Sequence, residues 1–235
     1  MKILHLIIAE AALELVPEEI QSHPAVRHHA SRLGKAPREI LLDRSYHHWA
    51  MGRLRDSMKR GRPDIIHLTL LEILGSPLNL AGKLKVWIST YDDRVIELVA
   101  HVRLPRVYER FKGLVEKLYA AGEVTTSEGE RIMAVRSMPL KTLIKEISPD
   151  ITLLLSEKGQ YASIDDLGMD IAASARPAVI IGGFPHLSFK RETLELADKI
   201  VSIYPRPLES WIVASRLLCA LERHVKGDIG AETML

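Results

Sequence analysis

Short apolar runs alternate with longer amphipathic stretches along this chain, and that alternation constrains the fold more than any other feature. Residues 3–9, 64–71, 150–155, 177–181 and 199–203 are dominated by Ile, Leu, Val and Ala. Runs of that length and content read as buried strands. They stop at breakers: Gly75-Ser76-Pro77, Ser156-Glu157-Lys158-Gly159, Gly182-Gly183, and Pro205 with Pro207. Residues 83–100 read as a hairpin, with Leu84, Val86 and Ile88 alternating and Tyr91-Asp92-Asp93-Arg94 at the turn. Helices are expected within residues 17–33, from an Asp43 N-cap through Leu54, and over 103–121, 140–147, 164–173, 191–197 and 208–225. Strands alternating with helices predict an α/β layer with parallel strands. No repeat or low-complexity linker divides the sequence, so residues 1–235 read as one domain.

Several classes drop out. A single cysteine, Cys219, excludes a disulfide scaffold and a cysteine-based zinc module. Apolar content of 47% and net charge of +2 exclude general disorder. No stretch reaches the roughly 18 uninterrupted apolar residues of a membrane span, and the start lacks a secretory signal, so a cytoplasmic protein is expected. The phosphate-loop, dinucleotide and nucleophile-elbow patterns are missing. The ten histidines do not suggest a metal site. His47 and His48 are adjacent and point about 100° apart on a helix, while His23, His28 and His29 hold no i, i+4 pair. In the final helix Leu208, Trp211, Ile212, Ser215, Leu218 and Cys219 form a stripe suited to core or interface, with Cys219 read as a small core residue.

The near-neutral total conceals a segregation. Residues 31–62 hold nine basic side chains against Glu39, Asp43 and Asp56, or +6. Residues 103–117 hold five against Glu109 and Glu116, or +3, which leaves −7 for the rest. Such asymmetry predicts a surface that binds a polyanion. In the second stretch Val107, Phe111, Leu114 and Leu118 outline an apolar helix face, and Arg106, Arg110, Gly113 and Lys117 a polar one. Aromatic residues make up only 5%, so arginine–phosphate contacts should outweigh base stacking. Arg62-Pro63-Asp64 places a carboxylate two residues from a guanidinium that it could hold in a fixed pose. Three strand-end loops, 154–159, 181–186 and 203–208, fall where open α/β sheets bind ligands. Gly182-Gly183 would allow close ligand approach and positive φ.

Specific motifs follow one another in a recognisable order. They are Leu42-Asp43-Arg44-Ser45-Tyr46-His47-His48, Gly61-Arg62-Pro63-Asp64-Ile65-Ile66-His67, Ser76-Pro77-Leu78-Asn79, Arg103-Leu104-Pro105-Arg106 and Arg110-Phe111-Lys112-Gly113-Leu114. Ile181-Gly182-Gly183-Phe184-Pro185-His186 and Tyr204-Pro205-Arg206-Pro207-Leu208 complete the series. Across about residues 2–225 the chain resembles the ribosome-biogenesis pseudouridine N1-methyltransferases, the nucleolar essential protein family of the SPOUT superfamily, in its compact archaeal form.

The resemblance implies a SPOUT-like parallel sheet with helices on both faces, a C-terminal trefoil knot and an inserted basic β-hairpin/helix region for RNA at about 76–137. It implies a homodimer that methylates N1 of a pseudouridine in small-subunit ribosomal RNA, using S-adenosylmethionine (SAM). Cofactor contacts would come from Leu155, Gly182, Leu187, Ile203, Tyr204, Pro205, Arg206, Pro207 and Leu208. RNA contacts would come from Arg62, Arg103, Arg106 and Arg110, with Asp64 orienting an arginine and no general base assigned. Archaeal relatives often carry glycine where this chain has Leu187, so a positive φ there would be strained. A non-enzymatic ribosomal-RNA-binding assembly factor shares the basic surface but does not need the pocket. A small-molecule α/β enzyme uses the pocket but leaves the basic stretches unexplained.

Overall fold

The first apolar run becomes the central strand of the molecule, buried over its whole length. The computed structural model describes residues 1–225 and orders its elements as follows. The first half contains β1 (Leu4–Ala11), α1 (Glu18–Gln21), α2 (Pro24–Leu33), α3 (Arg44–Met51), α4 (Pro63–Leu74), α5 (Pro77–Leu80), β2 (Leu84–Thr90), β3 (Arg94–Leu98) and α6 (Tyr108–Ala121). The second contains β4 (Glu123–Thr125), β5 (Arg131–Ser137), α7 (Leu140–Ile147), β6 (Ile151–Tyr161), α8 (Ile164–Ala173), β7 (Pro177–Gly182), α9 (Arg191–Leu194), β8 (Lys199–Ser202) and α10 (Ser210–His224).

The eight strands form one sheet in the order β4-β5-β3-β2-β1-β7-β6-β8. β2, β1, β7, β6 and β8 run parallel, whereas β3, β5 and β4 pair antiparallel. The sheet is therefore mixed rather than purely parallel. β4 and β5 have no counterpart among the sequence-predicted elements. β2 pairs directly with β1, which integrates part of the 76–137 region into the centre of the sheet.

Alternation along β1 divides the core. Leu4, Leu6 and Ile8 face a large cluster with α4, α6, α8 and α10, while Ile7 and Ala9 face α7 and the Phe189 loop. A third cluster, including Val26, Ile40, Leu42 and Met51, knits α1–α3 into a helical module beside the sheet.

Residues 64–71, expected as a strand, form most of α4. Pro63 sits at its first turn, where the missing N–H costs nothing. Ile65, Ile66, Thr69, Leu70 and Ile73 are its buried side. That helical spacing outweighs the β-branched composition. α6 also starts later than expected, at Tyr108, so Arg103 and Arg106 lie on its entry segment. Its inner face is turned relative to the sequence reading: Val107 is exposed, and Val115 is buried beside Phe111 and Leu118. On α10 the core-facing line is Ala214, Leu217, Leu218 and Leu221. Cys219, one position beyond Leu218, is exposed rather than core, because successive helix residues point about 100° apart.

Candidate functional site

Three strand-end loops enclose a cavity of about 430 Å³. The first wall arises from an irregularity in β6. Val201 of β8 is opposed both by Leu155 and by Gln160, so residues 156–159 are thrown out of the ladder between them. Ser156, Glu157 and Lys158 thereby reach the cavity. Gly159 lies flat against β8, where a Cβ would come within 2.6 Å of the Ile200 and Val201 backbone. The strand does not stop at 156–159, as its composition suggests; it detours and resumes.

The second wall is the loop after β7. Neither Gly182 nor Gly183 adopts positive φ. Gly183 is required by packing instead. A Cβ there would approach Ile8 at 2.7 Å, the Ala11 Cα at 2.8 Å and Ile66 at 2.9 Å. Gly183 also donates its N–H to Ala9 and accepts from the Ala12 N–H, which locks the loop to the end of β1. Positive φ falls on Leu187, at 71°, with its side chain 60% exposed. The third wall is the segment after β8, where Ser202 Oγ donates to the Tyr204 carbonyl and Ser210 Oγ donates to the Gly182 carbonyl.

Leu155, Gly182, Leu187, Ile203, Tyr204, Arg206, Pro207 and Leu208 line the cavity together; Pro205 of the same series does not. Phe184, named in the sequence only as part of its loop motif, also lines it, as do Phe189, Ser210 and Val213, which were not singled out. Their signal was their place in or beside the two loops.

Behind the second wall lies a buried ion pair. One extra residue in β1 between Ile8 and Ala11 breaks the register with β2, and Glu10 takes φ of 51°. The bulge turns its carboxylate to Lys59 and to the Lys190 N–H (2.8 Å). The Lys59 ammonium also donates to the Ser188 carbonyl at 2.6 Å and lies 4.0 Å from the centre of the Phe184 ring. Arg60 next to it makes a two-point contact with Glu14, at 2.7 and 2.6 Å, deep in the protein. Burial opposes the Arg60 charge, but Glu14 outweighs it and raises the guanidinium pKa.

Arg62 is different. It is half-buried at the start of α4 and makes a two-point contact with Asp64, at 2.8 and 2.7 Å. That contact, against partial burial, raises its pKa, and Glu209 at the start of α10 adds to the effect. Leu208, the residue before Glu209, lines the cavity; Arg62 itself does not. The Pro105 carbonyl accepts from His67 Nε2 at 2.7 Å, tying the entry segment of α6 to α4. Arg103, Arg106 and Arg110 are exposed, and no ion pair engages them among the described residues.

Between α3 and α6 the charges are again inward. Asp43 accepts from the Ser45 N–H at 3.0 Å, from Tyr108 at 3.0 Å and from Lys112 at 3.1 Å. Burial raises the Asp43 pKa, but Lys112 and the hydrogen bonds prevail and hold it below the usual carboxylate value. Burial and Asp43 push the Tyr108 phenol well up. His47 Nδ1 accepts the Asp43 N–H at 3.0 Å, so its Nε2 carries the proton toward His29 Nδ1, 2.9 Å away. Burial, followed by the neighbouring His29, lowers the His47 pKa to about 4. Among the described residues no group of three or more His, Cys, Asp or Glu side chains is placed to hold a metal ion. No helix among them is long and apolar enough to cross a membrane.

A cavity at the carboxyl ends of parallel strands, walled by crossover loops, defines an α/β protein that holds a small ligand against one end of its sheet. The EMG1/NEP1 methyltransferase profile matches residues 6–222, and the chain belongs to that family. It is 43% identical over 219 residues to the ribosomal RNA small subunit methyltransferase Nep1 of Thermococcus kodakarensis, covering 93% of this chain and 97% of that one. The Nep1 of Staphylothermus marinus is 41% identical over 217 residues, covering 92% and 94%. The crystal structure of Archaeoglobus fulgidus Nep1 bound to S-adenosylhomocysteine superposes with a TM-score of 0.84 at 38% identity, covering 95% of this chain and 99% of that one.

Proposed function

We propose that this chain is a SAM-dependent methyltransferase that modifies N1 of a pseudouridine in small-subunit ribosomal RNA during ribosome biogenesis in the cytoplasm. The observation that carries the reading is the cavity walled by the three strand-end loops. The cavity fits the cofactor. Its volume lies in the range of small-ligand sites. Leu155, Ile181, Phe184, Phe189 and Val213 give an apolar wall for a nucleoside ring, and the backbone of 203–208 offers hydrogen-bonding edges. Leu155, Gly182, Leu187, Ile203, Tyr204, Arg206, Pro207 and Leu208, which line the cavity, would hold the cofactor. Bound there, SAM would supply an electrophilic sulfonium methyl to N1, the carbon–sulfur bond breaking to leave S-adenosylhomocysteine and the N1 proton passing to solvent.

Such a displacement needs alignment more than a protein nucleophile. Arg62, Arg103, Arg106 and Arg110 grip phosphates and draw the target base out of its stack. Asp64 fixes the plane of the Arg62 guanidinium, which limits the freedom lost on binding. The region at about 76–137 is the RNA-binding elaboration of a single domain spanning 1–235, whose last ten residues lie outside the described part. The segment after β8 threads a trefoil knot, a reading supported by its closeness to the loop after β7, where Ser210 Oγ donates to the Gly182 carbonyl. Ile212, Ser215 and Cys219 on the outer side of α10 form the contact of a homodimer.

Incubation with methyl-labelled cofactor and a pseudouridine-containing stem-loop should label the RNA, and a uridine-only stem-loop should remain unlabelled. Label on both, or on neither, overturns the reading. Light scattering at micromolar concentration should give the mass of a dimer.

A further inference from the structure

The low aromatic content predicts little base stacking, yet the most exposed large apolar side chain among the described residues is Trp49, at 82%. It lies on α3, whose inward side is His47, Ala50 and Met51. Tyr46, three residues before on the helix, is also exposed, and so is Arg53 in the turn just beyond the helix end. The His48 ring stands edge-on to the indole, with centroids 5.5 Å apart. The surroundings are basic. Arg55 projects into solvent beyond Arg53, and Arg44, at the start of the helix, is close enough to Arg62 for the two charges to oppose each other. On the other side the Tyr46 ring lies 4.7 Å from the Lys112 ammonium, which joins α3 to the helix that carries Arg110.

An indole 82% exposed and set among cations matches the chemistry of an unpaired nucleobase on a phosphate backbone. Trp49 does not line the cavity, so it plays no part in holding the cofactor. We propose that Trp49 is a stacking platform for an unpaired base of the substrate RNA, outside the nucleotide that is methylated. This rests on the RNA-modifying function above and adds to it a contact that is aromatic rather than ionic.

The test uses the full chain, a pseudouridine-containing stem-loop with single-stranded flanks, and fluorescence anisotropy. Trp49→Ala should weaken RNA binding about tenfold, while Trp49→Phe, which keeps a ring, should stay within about threefold of the parent. The RNA should quench indole emission in the parent and quench it much less in Trp49→Phe. Unchanged affinity in Trp49→Ala, alongside clear weakening in Arg110→Ala, overturns the stacking site and leaves the function standing. Loss of self-association in Trp49→Ala with RNA affinity unchanged also overturns it, and marks the indole as a protein contact. If neither variant alters RNA binding and no label is transferred, the function itself falls and the stacking site with it.

Discussion

The segment around Lys59 and Arg60 and the surface from Arg62 to Arg110 carry the same charge but differ in what surrounds it. Lys59 and Arg60 are sealed inside, each against one glutamate, and they bind the helical module and a cavity wall to β1. Arg62 meets its aspartate at the surface, and Arg103, Arg106 and Arg110 face water. A buried pair contributes little net free energy, but removing one member strands a charge and is costly. An exposed pair contributes little either way and leaves the cation free to act on a ligand. Basic residues two positions apart thus divide between holding the structure and serving the surface.

Breaking the buried side should have the largest effect. Arg60→Met strands the Glu14 carboxylate and should cost about 3–5 kcal/mol in urea unfolding. The Glu14→Met/Arg60→Met double variant should recover most of that loss. A single-variant loss below about 1 kcal/mol would erase the contrast. Lys59→Met should behave alike and should also weaken SAM binding by calorimetry, because the Ser188 carbonyl and Phe184 lose their anchor.

Acid should act on the buried side next. The His47 pKa is lowered to about 4 by burial and then by His29, and the His5 pKa to about 4 by burial and then by Lys85. Well above pH 6.5 these groups are neutral in both states and contribute no pH dependence. As pH falls from 6.5 toward 4 the unfolded chain takes up protons that the folded one refuses, so stability declines. The loss should be roughly 2–3 kcal/mol for His47, and His47→Gln should flatten the stability curve over that window. A curve unchanged by the substitution would contradict the burial argument.

The exposed side should respond through binding rather than stability. Arg62→Ala should change unfolding free energy by less than about 1 kcal/mol. RNA affinity should fall, and the slope of log affinity against log salt should shrink by roughly 0.7 to 0.9. The smallest effect is expected at the cavity wall. Leu187→Gly relieves a positive φ worth about 1–2 kcal/mol but adds unfolded-state freedom, for a net gain of about 0.5–1 kcal/mol in thermal unfolding.

The three cavity loops were legible because glycine, proline and charge interrupt apolar runs sharply at 156–159, 182–183 and 203–208. Burial of the ion pairs was not, since nothing local distinguishes Arg60 from Arg62; the difference is made by Glu14 on a distant segment. α4 was misread because its composition is that of a strand, and only its period is helical. β5 carries only a four-residue apolar run, Ile132-Met133-Ala134-Val135, bracketed by Arg131 and Arg136, and its place is set by pairing to β3. The role of Gly183 likewise depends on Ile8, Ala11 and Ile66, which the sequence does not place beside it.

The detour in β6 leaves and rejoins β8 opposite one and the same residue, Val201. Chain length between Leu155 and Gly159 is therefore decoupled from the alignment of everything downstream. Residues can be inserted or deleted ahead of Gly159 without shifting α8, β7 or β8 by a single position. A family built on this frame could remodel one wall of its ligand site by changing loop length alone, leaving the sheet as it found it.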